Sequence, residues 1–204
     1  MTINFYDQNF YYSDMAVSIA NDIISCIRKG TKEFKCSKLW QYPIKIEDDE
    51  EYMSLVDWNF KVVTTDVKRV DIWASAGFSE SYLPEISLSI IMPKEAECPI
   101  DALNYSELVG VIAHELHHIA QKNEAMYHYQ GDSTNPKVRY YLNPAEIPAF
   151  HIGFRAQCHI SGEDMGLAMR AYLSHQGLTD NETESIVAAW LNPSFEIAAA
   201  NIIV

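Results

Sequence analysis

His114 and His118 stand four residues apart, with Glu115 beside the first, in the run Asn104-Tyr-Ser-Glu107-Leu-Val-Gly110-Val-Ile-Ala-His114-Glu115-Leu-His117-His118-Ile-Ala-Gln121. On a helix, side chains four apart lie one above the other, so both imidazoles can reach a single ion. Glu115 falls on the same arc, close enough to act as a base on a water held by that ion. The run also supports the helix it needs. Asn104 offers an N-cap and Glu107 a capping-box partner. At about 100° per residue, Leu108, Val109, Ile112, Ala113, Leu116, Ile119 and Ala120 gather on one side as a core stripe. Glu107, Gly110, His114, Glu115, His117 and His118 occupy the other. His117 sits about 60° from His114 and reads as a rim residue. Gly110, one turn before His114, either leaves room for a substrate or marks a close packing contact with a strand.

The segment VIAHELHHIAQ resembles the active-site helix of the zincin metallopeptidases. That resemblance implies one Zn2+ per chain, bound by His114 and His118, with Glu115 as general base toward the zinc-bound water. A catalytic zinc also needs a third protein ligand and an open position. The metzincin pattern requires a glycine at position 121 and a histidine at 124, where this chain has Gln121 and Glu124, so the helix is expected to continue to 124. The gluzincin pattern takes a glutamate from a second helix. Tyr141-Leu-Asn-Pro-Ala-Glu146-Ile-Pro-Ala-Phe150 fits it and makes Glu146 the expected ligand. Asn143 to Glu146 is equally a capping box with Pro144 at the first helical position, and Pro148 strains a helix so near its start. His128, Asp132 and His151 are the rival ligands. Tyr140, Tyr141 and His151 are candidate donors to the oxyanion or the substrate, with Tyr127, His128 and Arg155 close by in sequence. The resemblance further implies a peptide or protein substrate laid along a sheet edge, for which the proline-bounded strand at 86–91 is the candidate, although the same strand fits the interior of a sheet equally well.

The elements that must position this helix come before and after it. Met15, Ile19, Ile23 and Ile27 recur every four residues, with Gly30 after them, and predict a helix over 13–29. The acidic stretch 44–53 reads as an exposed loop. Strands follow over 55–65, 67–74 and 86–92. After Pro99 the pattern turns helical: 105–124, a helix opening near Asn143, then 163–175 and 179–191. Strands first and helices afterwards predict an α+β, zincin-like fold. A small, mostly antiparallel sheet from residues 1–100 would pack on the site helix, with a helical part over 101–204, all in a single domain.

The composition bounds the rest. With 204 residues, 48% apolar and 21% charged, the chain suits a globular domain. Lys plus Arg total 15 against 28 Asp plus Glu, a net charge of −13; that balance repels a phosphate backbone and argues against nucleic acid, and reads first as a solubilising surface, with cationic substrates second. Four scattered cysteines (Cys26, Cys36, Cys98, Cys158) form no CxxC pair and read as reduced thiols of an intracellular, cytoplasmic protein. The start carries no secretory signal, and no apolar run is long enough to span a bilayer. A second reading is a catalytically silent zincin-like domain acting within a larger assembly, such as a virion. It rests on the aromatic start (Phe5, Tyr6, Phe10, Tyr11, Tyr12) and the apolar end at 195–204, either of which could dock a protein partner or pack on the core.

Overall fold

A computed structural model describes residues 5–45, 51–78, 83–94, 103–121 and 133–193. Among these, the order is α1 (Phe5–Arg28), β1 (Glu33–Lys45), β2 (Glu51–Thr65), β3 (Asp71–Phe78), β4 (Pro84–Pro93), α2 (Tyr105–Ala120), α3 (Pro136–Tyr141), α4 (Glu146–Ser161), α5 (Met165–Leu173) and α6 (Asp180–Leu191). The chain is therefore α+β. Tyr127, His128, Asp132, Glu124, Cys98 and the tail at 195–204 lie outside the described residues, as do positions 46–50 of the expected acidic loop; the strands flanking those positions run up to Lys45 and begin again at Glu51.

α1 starts earlier than expected. Its buried stripe is Tyr12, Met15, Ala16, Ile19, Ala20, Ile23 and Ile27, the three-and-four spacing of a helix covering one side. It ends where Gly30 adopts φ 79°, a left-handed conformation natural to glycine. Thr31 N–H and Gly30 N–H then close on the carbonyls of Cys26 and Ile27.

The strands pair in the order β1-β2-β4-β3. β1 with β2 and β3 with β4 are antiparallel, while β2 with β4 is parallel. The sheet is thus mixed, with its parallel pairing at the centre. β4 is an interior strand, which decides against the edge place and for the interior one. Pro84 and Pro93 sit at its two ends, where a missing N–H interrupts no interior ladder. Between them Ile86, Leu88, Ile90 and Met92 are all buried, and such an apolar alternation belongs between neighbours rather than at a rim. The edges among the described strands are β1 and β3.

Val56, Trp58, Phe60 and the buried residues of β4 turn one face of the sheet toward α1 and α2. The opposite face is polar, with Lys35 bonded to Glu85 at 2.8 Å and Asn59 to Ser87 at 2.9 Å. A second apolar cluster joins α3 to α6 around Tyr141, Phe150, Phe154 and Trp190. α2 packs against α1, the sheet and α4. No described helix is long and apolar enough to cross a membrane.

Candidate metal centre and its cleft

α2 begins as its sequence requires: Asn104 Oδ1 accepts from the N–H groups of Ser106 and Glu107. It ends four residues short of the expected boundary, because Gln121 leaves the helix with ψ 127°. The apolar stripe is buried against the sheet and α1, with Ile119 partly so, as its periodicity requires.

α4 crosses α2 at two glycines. A Cβ on Gly110 would stand 2.9 Å from the Gly153 carbonyl oxygen, and one on Gly153 would stand 2.9 Å from that of Gly110. Gly110 is therefore a helix–helix contact, not a contact with a strand. The crossing lays the first turn of α4 over His114 and His118. Asn143 caps that turn by accepting from Ala145 N–H with its side chain and from Glu146 and Ile147 N–H with its carbonyl. The Glu146 side chain thus takes no part in the cap, and its carboxylate is left for the histidines. Pro148 is the third residue of α4, within the first turn, where a proline is tolerated.

His114, His118 and Glu146 form a group that could hold a metal ion. The two Nε2 atoms are 3.0 Å apart. Glu146 Oε2 lies 3.3 Å from one and 3.4 Å from the other. Ligand atoms about 2.0–2.1 Å from a tetrahedral ion stand about 3.3 Å from each other, which matches this triangle. Glu146 Oε2 is buried and has no well-formed hydrogen bond, as befits an atom whose partner is an ion. The donor set therefore fits a divalent metal.

Electrostatics agree with the geometry. Burial would push the Glu146 carboxyl up, but the His114 and His118 nitrogens outweigh it and hold the group at about 2. Burial would lower the His118 imidazole; the Glu146 carboxylate reverses this and raises it. Glu115 is buried beside the triad. Burial raises its carboxyl, against the pull of His114 and His118; Glu146 adds to the rise, and the backbone N–H of Ala76 in β3 opposes it.

The remaining candidates separate clearly. The hydroxyl of Tyr140 reaches Glu146, and its ring borders a cleft of about 710 Å³ that also touches His114 and Glu115. Tyr141 borders the same cleft but is buried, its ring packed in the second apolar cluster. His151 bonds through Nδ1 to the Trp190 carbonyl at 2.8 Å, facing α6 rather than the triad. His117 is not at a rim. It packs edge-on against Tyr12 of α1 at 5.6 Å, and burial holds its imidazole down at about 3. Phe150, one turn after Glu146, meets the His114 ring edge-on at 4.6 Å.

Two contributors escape a reading by residue type. Gln121 stands three residues after His118 and bonds it directly, at 2.8 Å from Nδ1; its helical spacing was the available signal. Gly153, the partner of Gly110, carried none. The cleft runs from His114 and Glu115 between β3 and the helices α4 and α5. No protein-family model matches the chain, and neither the curated proteins nor the solved structures yield a match.

Proposed function

We propose that the chain is a zinc-dependent peptidase in which His114, His118 and Glu146 hold the ion and Glu115 is the general base. One observation carries this reading: three ligand atoms converge at 3.0–3.4 Å beside a buried carboxylate, at the wall of a cleft. A zinc bound there would acidify water and polarise a carbonyl. The residues of the chain supply the rest. Glu115, its carboxyl raised by burial, accepts a proton at its carboxylate and returns it to the leaving amine. Tyr140, half exposed at the cleft wall, offers an O–H to the developing oxyanion.

The cleft geometry favours an extended peptide as substrate. β3 is an edge strand, and its Ala76 N–H points outward to Glu115. Backbone groups alternate sides along a strand, so Ile72 and Ala74 direct theirs outward as well, and both residues line the cleft. A peptide can pair with them by strand addition. This role passes from the expected strand at 86–91 to β3.

Incubation of the zinc-loaded protein with a mixed peptide library, read by mass spectrometry, tests the proposal. Hydrolysis is expected in the wild type. In Glu115→Gln it is expected to fall by about 10²-fold or more, with zinc content unchanged. Equal hydrolysis by that variant would overturn the assignment of the base.

A further inference from the structure

We infer that Gln121 is the positioning residue that fixes His118 as a metal ligand and ties it to the turn that presents Glu146. The inference rests on the metal-binding reading above and concerns how this chain builds that site.

The argument follows donors and acceptors. The carbonyl oxygen of Ala145 can only accept, so the group 2.8 Å from it must be the amide nitrogen of Gln121. That sets the orientation of the amide and turns Oε1, which can only accept, toward His118. Oε1 lies 2.8 Å from Nδ1 of that ring. Nδ1 must then carry the hydrogen. In the neutral ring a hydrogen on Nδ1 leaves the lone pair on Nε2, the atom that faces His114 and Glu146. One backbone carbonyl therefore sets, through one amide, the tautomer that a metal requires.

The same side chain joins two elements. Gln121 is the C-cap of α2, its backbone N–H bonded to the His117 carbonyl. Ala145 is the residue immediately before Glu146, at the start of α4. Two ligands from α2 and one from α4 are thus held in register by a bridge only one side chain long. An alanine at 121 would remove both bonds, freeing the His118 ring to rotate or change tautomer and loosening the turn before Glu146. A glutamate would keep the acceptor for Nδ1–H but place an oxygen against the Ala145 carbonyl, separating the two roles.

The test is zinc affinity by chelator competition, together with nitrogen-15 NMR of His118, on the full chain. Partners behind a metal-bound histidine are worth about 10–100-fold in affinity, so Gln121→Ala is expected to bind zinc that much more weakly while retaining its helical circular dichroism. In metal-free wild type, at a pH where the ring is neutral, His118 is expected to be the Nδ1–H tautomer. That signal should persist in Gln121→Glu and be lost in Gln121→Ala. The tautomer measurement needs no variant, so it decides the matter even if Gln121→Ala does not fold. An Nε2–H tautomer in the wild type, or zinc affinity within threefold of wild type in folded Gln121→Ala, would overturn the role of Gln121 and leave the metal site standing. Failure of the wild type to bind zinc at all would overturn both.

Discussion

Two imidazoles and a carboxylate held within 3.4 Å of one another must share either a proton or a cation. In α2, His114 and His118 offer their nitrogens from below, and Glu146 closes the triangle from α4. Spacing alone made His114, Glu115 and His118 legible, because four residues is one helical turn. Glu146 was legible as one of several acids and histidines downstream; the Asn143 cap, which takes Ala145 instead, is what frees it. Tyr140 and Tyr141 could not be told apart, since neighbours on a helix point about 100° apart and only packing leaves Tyr140 exposed and Tyr141 buried at the cleft they both border. His117 was misjudged because helical angle says nothing of what covers a flank, and here α1 covers it. Its ring, packed against Tyr12, makes a separate prediction. Folded His117 resists protonation down to about 3, whereas an unfolded histidine protonates near 6.5. Its contribution to stability is therefore present above pH 6.5 and lost as pH falls toward 3. Between pH 7 and 5 it should cost the metal-free protein about 2 kcal/mol, and His117→Phe should lose correspondingly less. Urea denaturation at both pH values measures it; identical pH dependence in the two proteins would contradict it.

At the scale of elements, the site depends on how closely α4 approaches α2. Gly110 and Gly153 allow that approach, each taking the space a Cβ would fill on the other. In Gly153→Ala the new methyl would meet a backbone carbonyl at 2.9 Å and His114 Cβ at 3.2 Å. Overpacking of this kind costs about 1–3 kcal/mol. Because it lifts Glu146 off the histidines, zinc affinity should fall by about tenfold as well. Chelator competition and urea denaturation report the two effects, and a variant with neither would show that the crossing does not set the site. The periodic helices were legible from their apolar stripes. The sheet was less so: β1 mixes lysines with aromatic residues and shows no clean alternation, and strand order depends on partners that no local pattern names. Pro84 and Pro93 suggested an edge, yet the buried run between them put β4 inside and left β3 to border the cleft.

At the scale of the whole molecule, two apolar clusters meet along α2 and α4. One joins α1 and the sheet; the other is the aromatic cluster of α3 to α6, where Phe150 stacks on Trp190 at 4.1 Å. The triad and the cleft lie where they meet, so an ion drawing ligands from α2 and α4 fastens one cluster to the other. Metal bound only by the folded chain must stabilise it by mass action. The central claim is that His114, His118 and Glu146 together hold that ion. Metal analysis after dialysis against excess zinc and then a weak chelator tests it most directly, on the wild type, His118→Ala and Glu146→Ala. The account predicts about one zinc per wild-type chain and loss of most of it in each folded variant. Full zinc retention by Glu146→Ala, or a metal-free wild type, would contradict it.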